Sequence, residues 1–409
     1  MLKNAILAAT ADAADRILAH RRHLHLHPEP SYAEIETGRY ISQALTGMGI
    51  AHTTGWCAER GAAGIVAEIP GGEPGTRRVA LRADMDALPI QEVGRPHAST
   101  VPGWMHACGH DAHTACLLGA AEVLSATRAH WKGTIQLVFQ PGEECLPGGA
   151  SLMVKEGALS SDAPQAGPGA GAAPVDAIVG QHVYPQLDAG TVGFRSGPYM
   201  AAADELLIRI HGRGGHAALP HRTADPVIAA AHVLTALQTV VSRSCDPTQP
   251  AVLTFGKIAG GHVRNVIPDE VILDGTLRTY DEVTADTLRA TIHRVAESTA
   301  AAFGCRAEVD LAIGYPPVVN APPLTERCRK QAEELLGRDK VVDLPLRMTG
   351  EDFSFYQKVV PGCFYRLGTG GEGRGCRSGL HTAEFDIDEA ALHTGTSMMA
   401  WLAATEHEG

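Results

Sequence analysis

Five short stretches of this chain collect the side chains that bind metals and move protons. The densest is His106-Ala-Cys108-Gly-His110-Asp111-Ala-His113, where a single Gly between Cys108 and His110 gives a thiolate and an imidazole the short reach needed to meet at neighbouring metals. The same residues also read as a buried Cys beside helix-capping polar groups, and the motif alone leaves both readings standing. In Pro-Gly-Glu143-Glu144 two adjacent carboxylates repel each other unless a cation or a proton relieves them. One of them binding metal while the other holds a proton would answer that; a solvated acidic turn is the alternative. His182, His381 and the pair Asp84 and Asp86 complete the set. Each His alone is more often a hydrogen-bonded structural residue. Asp84 and Asp86 read as ligands, as carboxylates that fix a ligand imidazole, or as turn-initiating residues.

These stretches matter together because of what precedes them. Apolar, β-branched runs at Val79 to Leu81, Ile135 to Phe139, Ala177 to Val179 and Phe364 to Leu367 read as buried strands, and each comes before one of the polar clusters. Thr114 to Ser125 has helical periodicity. Alternating strands and helices predict an α/β sheet, and ligands of such sheets bind beyond the carboxyl ends of the strands. The clusters should therefore converge. From Thr191 the pattern changes: Thr191 to Phe194, Glu205 to His211, Val252 to Lys257, Val271 to Thr279 and Ala307 to Ile313 read as strands. Asp225 to Val241 and Thr284 to Phe303 read as helices, the first with Asp225 as N-cap, Pro226 next, and a stripe of Val227, Ala231, Leu234, Leu237 and Val241. This is a compact α+β insertion, after which Leu324 to Leu336 returns as a helix. The expected division is a discontinuous metal-binding domain over 1–189 and 315–409, with a smaller domain over 190–314. Gln165 to Pro174 (QAGPGAGAAP) reads as a projecting loop.

Composition sets the limits. With 409 residues, 34 Lys+Arg and 46 Asp+Glu, the charge of −12 argues against a nucleic-acid or membrane-surface partner. The length calls for two domains. Nine Cys without regular spacing suggest free thiols in a reducing compartment, and the expectation is a cytoplasmic protein. The first twenty residues read as an amphipathic helix instead of a signal peptide, and no unbroken run of about 18 apolar residues suggests a membrane span.

HRRHLHLHPEPSYAEIET, ALRADMDALPIQE, MHACGHDAHTA, VFQPGEE, GRGGHAALPHRTADP, VRNVIPDE, GTLRTYDE, TGEDFSFY and LHTAEFD, in this order from about Ile17 to the C-terminus, resemble one enzyme group. It is the amidohydrolase group containing hippurate hydrolase, N-acyl-amino-acid amidohydrolases and indoleacetyl-amino-acid hydrolases, of the carboxypeptidase-G and aminoacylase type of dinuclear metallopeptidases. The resemblance implies a mixed-sheet α/β catalytic domain with an inserted α+β lid or dimerisation domain. It implies two divalent ions per chain, Zn, Mn, Co or Ni, held by Cys108, His110, Glu144, His182 and His381. Glu143 takes the general-base position, and Asp86 that of the acid orienting a metal ligand. Asp84 stands where relatives outside the group have a histidine ligand, so its role stays open. His216 is implied as the lid's donor to the tetrahedral oxygen, Asn265 and Arg278 as substrate contacts, and His23, His25 and His27 as structural. The implied substrate is a small N-acyl amino acid, with a homodimer formed through the lid domain. A dipeptidase, aminopeptidase or carboxypeptidase on the same site is the rival enzyme, and a non-catalytic metal-binding protein the rival outside enzymes. Pure binding would not need Glu143 beside a full ligand set.

Overall fold

A computed structural model describes residues 1–94, 97–159, 174–373 and 375–406. All of the QAGPGAGAAP segment except Pro174 lies outside them. The chain divides into two units, one of Met1–Gly197, Val319–Pro345 and Asp352–Gly409, the other of Pro198–Val318 and Leu346–Glu351.

The first unit is built on an eight-stranded mixed sheet. Its first five strands in chain order are β1 (Ala51–Trp56), β2 (Gly64–Pro70), β3 (Glu73–Asp84), β4 (Lys132–Gln140) and β5 (Ala177–Asp188). Across the sheet they run β1-β2-β4-β3-β5, followed by Gly362–Gly370, Val192–Phe194 and Val341–Asp343. β4, β3, β5 and Gly362–Gly370 are mutually parallel, so their carboxyl ends lie along one edge. These central strands are covered on both faces, which is why they read as continuous apolar runs without alternation. Val192–Phe194, expected in the insertion, pairs with Gly362–Gly370 and belongs to this sheet. Three residues are too short a run for sequence to assign to either sheet.

Helix α1 (Leu2–Leu26) buries Ile6, Thr10, Ala13, Ile17, Arg21 and Leu24, a stripe at steps of three and four. α2 (Ile35–Gly47) packs beside β1, and α3 (His110–Ala126) is buried along nearly its whole length. The helix Ala391–Thr405 is buried throughout as well. α3 fits between α1 and Ala391–Thr405 because small residues let the backbones close in; a Cβ on Gly119 would lie 2.7 Å from Ile17 Cγ1 and 2.9 Å from Thr396 Oγ1.

In the second unit, a four-stranded antiparallel sheet runs Ala251–Ala259, Glu270–Thr279, Ala203–His211, Arg306–Tyr315. Pro226–Thr239 and Glu282–Ala302 pack against it. The Asp225 carboxylate does cap its helix, accepting from Val227 and Ile228 amides. The apolar stripe is displaced from the expected one. Ala229, Ala230, Val233, Leu237 and Val240 are buried, whereas Val227 is 45% exposed. The helix carries apolar residues all round, so periodicity could not set its phase, and the two alanines let it lie close on the sheet. The 19 residues Pro226–Ser244 are long and apolar enough to cross a membrane by length and composition, with 28% of the window buried. Here its alanine face covers the sheet.

Gly119→Ala is expected to destabilise the protein by about 1–3 kcal/mol, the usual effect of overpacking a tight contact. Gly47→Ala, where a Cβ meets nothing within 4 Å, should be neutral or slightly stabilising. Thermal unfolding of the metal-free proteins compares the two, and equal melting temperatures would mean that α1 and α3 are not closely packed.

Candidate metal centre

Three of the polar clusters emerge where a parallel strand ends, whereas His182 lies inside β5, which runs on to Asp188. β3 delivers Asp84 and Asp86, β4 delivers Glu143 and Glu144, β5 carries His182, and the loop after Gly362–Gly370 brings His381. Cys108 sits in the turn before α3 and His110 begins that helix. The turn depends on Gly109, whose φ of +81° is open to glycine, and a Cβ there would come within 2.6 Å of Val183 Cγ2.

The expected donors gather into three overlapping groups, each within 4.8 Å: Cys108, His110 and His182; Cys108, Glu144 and His381; His110, Glu143 and Glu144. Two further groups, Asp84, His110 and His113 and Glu143, Glu351 and Asp352, adjoin them. Cys108 Sγ lies 3.4 Å from His182 Nε2 and 3.3 Å from His381 Nε2. Glu144 Oε1 is 3.2 Å from His381 Nε2 and 3.9 Å from His110 Nε2. All five expected ligands and Glu143 thus come together, with Cys108 common to two groups. The expected lid residues lie in the second unit. His216, exposed, pairs with Val266 in a two-residue strand, and the Ala217 amide donates to the Asn265 carbonyl, which sets His216 and Asn265 side by side. His216 Nδ1 accepts from the Ala218 amide, so the ring proton sits on Nε2 and faces outward as a donor. Arg278 is half-buried on Glu270–Thr279.

The donor set fits a cation. His110 is fully buried, yet its Nε2 has no hydrogen-bond partner. Its other nitrogen, Nδ1, meets Asp86 Oδ1 at 3.1 Å, which leaves Nε2 available to a cation. Burial opposes charge on His110, but Asp84, Cys108 and the Asp86 hydrogen bond hold its pKa well above the ordinary value. Hydrogen bonds to Cys108 and Glu144 push His381 up to about 10. Thiol, imidazole and carboxylate here call for positive charge, the demand that a divalent ion meets. Burial and Glu144 push the Cys108 thiol up, a shift that a bound ion reverses by taking the thiolate.

Asp84 is engaged from two sides, although its Oδ2 also lies 3.7 Å from His110 Nε2 and it groups with His110 and His113. Its Oδ1 is 2.6 Å from His113 Nδ1, and Oδ2 accepts from Arg82 at 2.7 Å. Asp86, by contrast, is a hub: besides His110 it accepts from Ser31 at 2.7 Å and from the Glu144 amide at 2.9 Å. Burial would raise its pKa, but the His110, Glu144 and Ser31 hydrogen bonds keep it below the usual range.

Sequence reasoning missed the loop that supports this hub. Ser31 reaches Asp86, Tyr32 donates to the Cys145 carbonyl at 2.9 Å, and Glu34 accepts from the Gly142 amide at 2.7 Å. Burial and the neighbouring Asp86 push Glu34 up to about 8. Three residues of PEPSYAE therefore brace the PGEE turn. The local signal was an uncharged hydroxyl beside acids in a nonperiodic segment, which has no spacing rule. Of the histidines read as structural, His25 is buried between Asp111 at 2.7 Å and Glu92 at 3.1 Å, while the His23 ring stacks on Tyr40.

The mixed sheet brings a cluster of metal-binding side chains to the carboxyl edge of its parallel strands, and its likeness to known proteins places the chain among metal-dependent hydrolases. The chain belongs to Peptidase family M20/M25/M40, which it matches over residues 80–405. It is 41% identical over 378 residues to an N-acetyl-L-cysteine deacetylase of Bacillus subtilis, covering 92% of this chain and 85% of the relative. It is 39% identical over 402 residues to an IAA-amino acid hydrolase of Arabidopsis thaliana, covering 97% and 87%. A Bacillus subtilis structure described as a dinuclear metal binding peptidase of the M20 family superposes with a TM-score of 0.79 at 34% identity, over 97% of this chain and 99% of that one.

Asp86→Asn is expected to weaken metal binding by about 10–100-fold, the usual effect of removing a carboxylate that orients a ligand imidazole. Cys108→Ser should weaken it too and alter the preference among metals, since an alcohol is a poorer soft donor. Metal titration of the stripped proteins checks both; unchanged affinity in Asp86→Asn would remove it from the site.

Proposed function

We propose that this protein hydrolyses the amide bond of N-acyl amino acids, releasing a carboxylic acid and a free amino acid, with two divalent ions held by Cys108, His110, Glu144, His182 and His381. The observation that carries this reading is Glu143, a buried carboxylate grouped with His110 and Glu144 although the five other donors already make a ligand set. A site built only to bind has no use for it. The named activities of the relatives at 39–41% identity support the substrate class. The ligand types suit Zn, Mn, Co or Ni.

When bound, the ions would lower the pKa of a water into the neutral range and polarise the amide carbonyl. Glu143 takes the proton from that water and delivers it to the leaving amine nitrogen. Asp86 holds His110 in the tautomer that presents Nε2. His216, from the second unit, is the Nε2–H donor we assign to the carbonyl oxygen as it becomes negative. Asn265 and Arg278 are assigned to the substrate, the guanidinium being suited to the amino acid's carboxylate. All nine cysteines are free, which supports a reducing, cytoplasmic setting for the thiolate. A homodimer through the second unit is supported by its open edge strands Ala251–Ala259 and Arg306–Tyr315 and by exposed Ile258, Val263 and Ile313.

Metal-saturated enzyme should hydrolyse N-acetyl or N-benzoyl amino acids faster than free dipeptides, which carry an amine that this reading gives no partner. Preference for dipeptides would favour a peptidase. Glu143→Gln should retain its metals and lose at least about 10²-fold in kcat, while Glu144→Gln loses metal as well. His216→Ala is expected to lower kcat by about 10²-fold or more with metal content unchanged. A near wild-type rate in Glu143→Gln at saturating metal would contradict the base assignment.

A further inference from the structure

β5 loses one neighbour just before it reaches His182. Its pairing with β3 ends at Arg82↔Gly180, whereas on the other side Gly362–Gly370 continues through Leu367↔Val183. Val183 is fully buried, so its amide N–H cannot turn to water and needs an acceptor. That acceptor is His113, whose Nε2 lies 2.9 Å from the Val183 nitrogen. A peptide N–H only donates, so Nε2 carries no proton, and the ring's single proton sits on Nδ1, directed at Asp84 Oδ1 2.6 Å away. Asp84 is itself fixed by Arg82, which also donates to Gln140 at 2.8 Å and to Asp352 at 2.8 Å. Arg82, Asp84, His113, Gln140 and Asp352 are all fully buried.

The other side of Val183 faces the metal centre. Its carbonyl lies 2.9 Å from His182 Nδ1, so that nitrogen donates, and His182 Nε2 is left without a proton and turned toward Cys108 Sγ at 3.4 Å. One residue's backbone thus joins two imidazoles. We propose that His113 is a positioning residue for the metal centre: it replaces the missing strand neighbour at Val183, fixes the main chain there, and through the Val183 carbonyl sets the tautomer and direction of the His182 ring. The inference rests on reading His182 as a ligand. The Asp84 carboxylate, itself held by Arg82, fixes which His113 nitrogen donates and which accepts.

Two substitutions separate the roles, because a Gln amide reaches the place of the imidazole Nε2 and an Asn amide that of Nδ1. His113→Gln keeps an acceptor for Val183 and loses the link to Asp84; His113→Asn does the reverse. Calorimetric titration of the metal-free proteins with Zn²⁺, alongside their thermal unfolding, should find His113→Gln close to wild type. His113→Asn should be weakened by about 10–100-fold for the ion that uses His182. Wild-type affinity in His113→Asn would overturn the proposal, as would equal losses in both variants that track their loss of stability. Should neither variant fold, ¹⁵N NMR of histidine-labelled wild type decides: His113 must be protonated at Nδ1 and bare at Nε2, and the opposite tautomer would overturn it. His182→Ala is the control for the underlying reading. If zinc binding is unchanged there, His182 is no ligand and the proposal falls with that assignment; if binding drops while His113→Asn matches wild type, His113 alone is wrong.

Discussion

Carboxylates removed from water must be given hydrogen bonds or positive charge, and much of the first unit is organised to supply them around Asp84, Asp86, Glu143 and Glu144. Asp86 takes a hydroxyl, a backbone amide and an imidazole, and Asp84 takes a guanidinium and a second imidazole. What the protein does not neutralise by itself is the cluster of Cys108 with Glu144, and two imidazoles beside it, His110 and His381, hold on to protons in response. Charge left over in a dry, closely packed place is what distinguishes a metal centre from a salt-bridge network.

The fold makes this possible by separating two tasks. The parallel strands end together and fix where the polar residues begin, while α3 enters from its N-terminus with Cys108 and His110 already in the turn. The supporting groups come from elsewhere in the chain: the Ser31 to Glu34 loop, Arg82 within a strand, and Asp352 nearly three hundred residues later. Donors that sit on strand ends and are braced from behind are held more exactly than donors on a free loop. The same bracing explains why two aspartates two residues apart differ in role. Asp86 hydrogen-bonds His110 Nδ1, while Asp84 is held by Arg82 and His113 and lies 3.7 Å from His110 Nε2.

Much of this arrangement was legible in the sequence because its signals are local. An apolar β-branched run followed by a polar cluster marks a parallel strand and its ligand edge, and repetition of that pattern at 79–86, 135–144 and 177–182 brings the expected donors together. The bracing was not legible. Ser31, Tyr32, Glu34 and His113 act through partners between 29 and 113 residues away, and no periodicity connects them. His113 lay inside the motif with the strongest metal signal, yet its role follows from where β3 stops pairing, a fact of register that sequence does not carry. The helix after Asp225 was found for its cap, but its inward face is displaced from the expected stripe, since an apolar residue on every side leaves the phase to tertiary packing. Leu234, Leu237 and Val241 of that stripe do meet the core, while Val227 and Ala231 are exposed. β1 and β2 are not among the strands read from the sequence, although Ile65, Val66, Ala67 and Ile69 of β2 are apolar and buried.

The central claim is that the strand-end donors hold two ions that share Cys108. Anomalous X-ray diffraction from crystals saturated with manganese or zinc, recorded at the metal's absorption edge, tests it most directly. The account predicts two peaks about 3.5–4 Å apart, one against His110 and His182 and the other against Glu144 and His381, with Cys108 between them. A single peak, or peaks away from Cys108, would contradict it.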